Sequence, residues 1–256
     1  GLDSSKQTWD GVMADMIRSG YPCISIDLRG HGESPLGSTN EFTPENLARD
    51  VAVTAARSGL DSPYVVVGHS MGGRIAMRFA ADYPDLVSAL VVEDMDIRPR
   101  DGPQACDLSG CHLKRFEVLD GRRFATWKAC EDTLSDFYDL DRIRGWQGQR
   151  IRRLSDGSGD WWSDLNPLAM TLAREYVLSS LDGAHAWTAL SENANHLPIH
   201  LWVAGQDATL CSMTGPYGIE AMTTMNSQVK VRLFPQASHS IHNSNRGQFV
   251  EALMKV

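Results

Sequence analysis

The chain has 256 residues, 42% of them hydrophobic, which is enough to bury a large core as one domain with an inserted subdomain and excludes a disordered chain. Lys and Arg total 24 against 32 Asp and Glu, so the formal charge of -8 repels polyanions and argues against nucleic acid as a partner. No stretch approaches the roughly 18 continuous apolar residues of a membrane-spanning helix, so no membrane span is expected.

Trp9, Met13, Met16 and Ile17 recur at helical spacing and stop at Ser19-Gly20, which predicts an amphipathic first helix. Residues 23–28 are short, apolar and bounded by Tyr21-Pro22 and Arg29-Gly30-His31-Gly32, and predict a strand. Thr43 caps a helix with Pro44 at its first position, and Leu47, Val51 and Ala55 supply its inner face until Ser58-Gly59. The apolar run Tyr64-Val65-Val66-Val67 predicts the next strand. It leads through Gly68-His69-Ser70-Met71-Gly72-Gly73 into a helix over 74–82.

Residues 86–92, 199–204 and 229–234 predict three further strands, with a helix between the last two and a closing helix over 245–255. Strands alternating with helices predict an α/β fold, a mostly parallel sheet with helices on both faces. The region 96–195 breaks that rhythm, because it is charged, follows helical periods and holds Trp127, Trp146, Trp161, Trp162 and Trp187. It predicts an inserted helical cap between a first core part, 1–95, and a second, 196–256. Packing between cap and core accounts for most of these tryptophans, with one or two lining a ligand pocket. Ser155-Asp156-Gly157-Ser158-Gly159-Asp160 predicts a cap loop.

Cys23, Cys106, Cys111, Cys130 and Cys211 are odd in number and scattered, which favours reduced thiols and a cytoplasmic setting. Cys106 and Cys111 are close enough in sequence to bridge in a secreted chain. Neither a Cys-x-x-Cys nor a Cys/His metal spacing occurs, so no zinc site and no cofactor are expected.

Strand, Gly-x-Ser-x-Gly turn and helix together are the context of a nucleophile elbow, which makes Ser70 the candidate nucleophile. Both flanking glycines are expected to avoid collisions with the neighbouring strand and helix. A serine hydroxyl needs a base and a third group to orient that base. His239, five residues past the strand ending at Phe234, is the candidate base, with His242 as its rival in a loop-stabilising role. His69 is expected to point away from the serine, His31 to serve a turn, and His112, His185, His196 and His200 to lie in or beside the cap.

Two carboxylates satisfy the chain order Ser, Asp, His. Asp207 follows the strand ending at Ala204 and is favoured; Asp94 follows the strand ending at Val92. Glu93 and Asp96 are disfavoured because neighbours along a strand end point in other directions. The amides of Met71 and Leu2 are the candidate oxyanion donors.

These pieces resemble the alpha/beta-hydrolase superfamily along nearly the whole chain. The resemblance rests on Gly1-Leu2-Asp3-Ser4-Ser5 with Trp9, on Asp27-Leu28-Arg29-Gly30-His31-Gly32-Glu33-Ser34, on Gly68-His69-Ser70-Met71-Gly72-Gly73, and on Ala237-Ser238-His239 with His242. Within the superfamily, residues 68–77 and Val91-Val92-Glu93-Asp94 resemble small acyl-ester hydrolases of the alpha/beta-hydrolase domain-containing protein eleven type and their bacterial esterase relatives. The resemblance implies that Gly1 follows an oxyanion histidine, with the family's first strands upstream of it. It implies an acid at Asp94 in that branch and at Asp207 in most of the superfamily. Ser238 departs from the usual glycine, and the Glu-x-Pro expected after His242 is missing.

The function expected is a cofactor-free serine hydrolase cleaving a small-molecule carboxylic ester or thioester through an acyl-enzyme. An acyltransferase or carbon-carbon bond hydrolase on the same triad is one alternative. A non-catalytic ligand-binding homologue is the other.

Overall fold

A computed structural model describes residues 1–100, 122–136, 138–194, 196–205 and 208–256. The expectations placed on Cys106, Cys111, His112 and Asp207 lie outside the described residues.

Apolar β-branched runs form the main sheet. Strands β1 (Tyr64–His69) and β2 (Val87–Glu93) pair in parallel, β2 pairs with β6 (Ile199–Ala204), and β6 with β7 (Val229–Phe234), giving the order β1-β2-β6-β7. Successive side chains of a strand point to opposite faces, and the core divides accordingly. Leu90, Val92, Leu201 and Val203 join one apolar cluster with helices α2 (Pro44–Arg57) and α3 (Met71–Asp82). Val91, Trp202 and Ala204 join another with α1 (Asp10–Arg18) and the C-terminal helix Arg246–Leu253. The sheet is therefore covered on both faces, as expected. Trp202 anchors the second cluster, fully buried, with its ring 4.8 Å from Phe249 and 5.7 Å from Phe234.

The first expected strand fails to form. Residues 21–28 belong to no ladder. A strand exists only through hydrogen bonds to a neighbour, and among the described residues β1 has a ladder partner on one side alone. Its other edge and residues 22–28 line an apolar groove of about 770 Å³.

The helix expectations hold at both ends of α2, where the Thr43 hydroxyl accepts the Asn46 N–H at 3.3 Å and Pro44 takes the first helical position. Beyond residue 122 the expected helices are present: α4 (Trp127–Leu134), α5 (Leu140–Gly145), α6 (Pro167–Leu172) and α7 (Asp182–Asn193). A small antiparallel sheet was not expected there. It orders β3 (Arg123–Phe124), β5 (Trp161–Ser163) and β4 (Ile151–Arg153). Strands of two or three residues are too short to show an alternating pattern in sequence, whereas the helical stretches around them are long enough to impose their period. Trp187 on α7 is fully buried in the larger cluster, and its indole N–H donates to the Met222 carbonyl at 3.1 Å.

The turn between β1 and α3 is tight on one side only. A Cβ on Gly68 would meet the Gly72 carbonyl oxygen and come within 2.7 Å of the Ala76 methyl, while a Cβ on Gly72 would meet nothing within 4 Å. Of the two flanking glycines, Gly68 alone is demanded by sterics, which corrects the expectation for Gly72. Gly68→Ala is expected to destabilise the protein by about 1–3 kcal/mol through overpacking, whereas Gly72→Ala, at a helical position, should be neutral or stabilising by up to about 1 kcal/mol. Urea midpoints of the two variants check this. By the same measurement, Trp202→Ala should lose about 3–5 kcal/mol.

Candidate active site

The in-register pairing of β1 with β2 sets His69 opposite Glu93, so Ser70 and Asp94 are the next residues out of two adjacent strands. Ser70 N–H donates to the Glu93 carbonyl at 2.9 Å and Asp94 N–H to the Trp202 carbonyl at 2.7 Å. Both residues have positive φ, 54° and 48°, and no other non-glycine residue among those described does. Such backbone is costly for an L side chain and persists where surrounding contacts impose it, commonly at functional sites. Ser70 sits at the start of α3, with Met71 as the first helical residue. The Met71 amide is therefore one of the helix donors without an intrahelical partner.

Asp94 is the carboxylate that meets His239. Its Oδ2 accepts from His239 Nδ1 at 2.6 Å and from the Leu210 N–H at 3.0 Å. Its Oδ1 accepts from the Thr209 hydroxyl at 2.6 Å and from the Ala204 N–H at 2.9 Å. Burial pushes this carboxyl up, but the imidazole, the hydroxyl and the two amides outweigh it and hold the group below the usual carboxylate range. Of the two candidate acids, Asp94 is the one within the described residues, and it is a partner of the His239 ring. With Nδ1 engaged, Nε2 is the ring's remaining proton-accepting position.

The other expected histidines sort as their surroundings require. His69 Nε2 donates to the His239 carbonyl at 3.1 Å, and the two rings lie 4.6 Å apart. Burial drives the His69 imidazole well below its ordinary value, so it is neutral. It supports the base loop from beneath, and a Cβ on Gly1 would approach its Nδ1 to 3.3 Å. His31 contacts the Arg29 carbonyl at 3.1 Å and the Leu2 carbonyl at 3.0 Å, which fixes the peptide that precedes Asp3. His242 faces Glu93 at 2.8 Å. From the region after residue 122, the Tyr138 hydroxyl donates to Asp3 at 3.2 Å and Arg150 donates to the Asp3 carbonyl, so the segment bearing Leu2 is held from two directions.

Glu93 and Asp96 are both fully buried and both turn away from His239. Asp96 accepts from the Ser212 N–H at 2.7 Å and from Arg100 at 3.1 Å, and the buried Arg74 donates to its carbonyl at 2.7 Å. Sequence reading missed Thr209 and the Leu210 amide, because a loop hydroxyl and a backbone N–H leave no pattern. It also missed that His69, Glu93 and His242 each offer one metal-ligating atom within 4.8 Å of the others, since their sequence separations match no metal motif.

The family described as alpha/beta hydrolase fold matches residues 1–109. An esterase of Mycobacterium tuberculosis, Rv0045c, is 29% identical over 168 residues, covering 64% of this chain and 54% of that protein. The mouse sn-1-specific diacylglycerol lipase ABHD11 is 38% identical over 96 residues, covering 37% of this chain and 30% of that protein. The chain thus spans about half or less of the length of these relatives. A marine microorganism esterase shares the fold over 100% of this chain and 92% of its own, with a TM-score of 0.69 at 23% identity. Parallel sheet, strained serine elbow and the match over residues 1–109 converge on the alpha/beta-hydrolase fold.

Proposed function

We propose that the protein is a serine hydrolase that cleaves a carboxylic ester or thioester through an acyl-enzyme on Ser70. The observation that carries this reading is the 2.6 Å hydrogen bond between His239 Nδ1 and an Asp94 carboxylate that leaves the sheet beside Ser70. In that arrangement His239 Nε2 removes the serine proton as Oγ attacks the acyl carbon, and Asp94 stabilises the imidazolium that forms. The Met71 and Leu2 amides receive the developing oxyanion. His239 then protonates the leaving alcohol or thiol and activates the water that releases the acid. The relatives named as an esterase and a diacylglycerol lipase support an ester as the bond broken. A mouse protein phosphatase methylesterase 1, 42% identical over 157 residues and matched over 38% of its own length, supports it as well.

The chemistry needs no metal or redox group, and the substrate is a small acyl ester reached from the side of residues 122–194. We place the core at 1–95 and 196–256 around this insertion, with a cytoplasmic setting. No described helix is long and apolar enough to cross a membrane.

Ser70→Ala is expected to abolish both hydrolysis of short p-nitrophenyl esters and labelling by a fluorophosphonate. Asp94→Asn should lower kcat by roughly 10³–10⁴-fold, the loss typical of a base left without its orienting carboxylate, while Asp207→Asn should stay within about threefold of the parent. A steady-state comparison of the two Asn variants decides the acid, and a larger loss at Asp207 would remove Asp94 from the role.

A further inference from the structure

Glu93 is fully buried and takes no part in the triad. A buried carboxylate is costly to desolvate unless partners compensate it, and Glu93 has such partners. Its Oε1 accepts the His242 backbone N–H at 2.9 Å and the ring Nδ1–H at 2.8 Å, and Oε2 accepts that ring N–H at 2.9 Å. This sets the tautomer. His242 Nε2 is left to accept the Thr8 hydroxyl at 2.8 Å and the Asn243 side-chain amide at 3.1 Å, and the Thr8 oxygen accepts that amide at 3.2 Å. Donation therefore runs one way, from Asn243 and Thr8 through His242 to Glu93. The His242 ring cannot pivot, because Trp9 lies 4.3 Å, His69 4.9 Å and Phe249 6.1 Å from it, centroid to centroid.

We propose that Glu93 and His242 form a second carboxylate–imidazole pair that positions the base and the Leu2 segment for reaction at Ser70. The proposal rests on the serine-hydrolase reading above. Glu93 and Asp94 are consecutive at the end of β2, and each holds a histidine of one short loop, His242 and His239. A loop fixed at one point can rotate about it; fixed at two points on the same strand end, it cannot. Thr8 carries the restraint onward, since it lies in the single helical turn Lys6–Trp9 that follows the segment 1–5. The second pair thus connects the strand that bears the acid, the loop that bears the base and the segment that bears an oxyanion donor. Reacting groups held this way lose about a hundredfold in rate for a misplacement near 1 Å.

The titratable groups facing His242 are Glu93 and His69, and those facing His239 are Asp94 and His69. Glu93→Gln preserves shape: the amide oxygen still accepts the His242 backbone N–H, while its NH₂ donates to Nδ1 and reverses the relay, with Thr8 now accepting. The substitution leaves the fold's contacts in place while changing which way the His242 ring is held.

The experiment measures kcat, KM, thermal melting and fluorophosphonate labelling for the full chain and its Glu93→Gln and Thr8→Val variants. For Glu93→Gln, kcat should fall about tenfold to a hundredfold, and KM should change less than about twofold. Thr8→Val tests the relay where Glu93→Gln does not fold, and should lower kcat about threefold at unchanged KM and a melting temperature within a few degrees of the parent, as expected for the loss of its two neutral hydrogen bonds, to His242 and from Asn243. Variants that melt lower but keep the parental kcat would reduce the pair to a fold brace and overturn the proposal. A parent chain that is folded but neither labelled at Ser70 nor active would instead sink the hydrolase reading, and this inference with it.

Discussion

Everything in the site descends from the parallel register of β1 against β2. Pairing His69 with Glu93 makes Ser70 and Asp94 neighbours before any side chain is considered, and the Ser70 N–H closes the pairing on the Glu93 carbonyl. At that point both chains turn with positive φ. An L residue holds such a conformation at a cost of about 1–3 kcal/mol, so the rest of the fold must impose it twice, side by side. The impositions are visible: Gly68 allows the Gly72 carbonyl to close over it on one strand, and the Trp202 carbonyl holds the Asp94 amide on the other. A parallel sheet buried on both faces has little freedom to relax either turn.

Three carboxylates, Glu93, Asp94 and Asp96, leave the end of β2 within four residues and are all fully buried. Buried charges need partners, and each of these finds its own in a different direction. Glu93 takes the histidine loop at His242, Asp94 takes His239 together with Thr209 and Leu210, and Asp96 takes Ser212 and Arg100 while its carbonyl receives Arg74. One strand end therefore organises the loop after β6, the loop after β7 and the chain leaving β2 itself. That accounts for so much unfavourable burial being concentrated in one place: the desolvation cost is offset by hydrogen bonds that fix three loops no apolar contact could position as sharply.

How far the sequence carried this reading depended on whether a feature has a period. The strands at Ile199–Ala204 and Val229–Phe234 appear at the bounds their apolar runs predict, and the helix capped by Thr43 begins where the cap and proline place it. Ser70 was legible because an elbow is local, a strand, a turn and a helix in immediate succession. Residues 23–28 misled because composition speaks of a strand's side chains, not of its ladder, and a ladder is a property of two segments. Three-residue strands at Ile151–Arg153 and Trp161–Ser163 escaped for want of length. The Thr8, His242 and Glu93 relay escaped because its links join residues 234 and 149 positions apart.

The identity of the acid shows where such reasoning stops. Chain order admits Asp94 and Asp207 alike, and topology gives little more, because β2 and β6 are adjacent strands with Glu93 paired to Trp202, so both candidates follow carboxyl ends in the same region of the sheet. Strand-end geometry separates carboxylates within one strand far better than between two. Successive residues diverge in direction, so Glu93 and Asp94 cannot serve the same imidazole, and once His242 occupies the first, His239 meets the second. The contact of Asp94 with His239 thus goes with that of its neighbour as much as with its own 2.6 Å bond: the loop carrying both histidines is tied to two consecutive carboxylates at the end of β2.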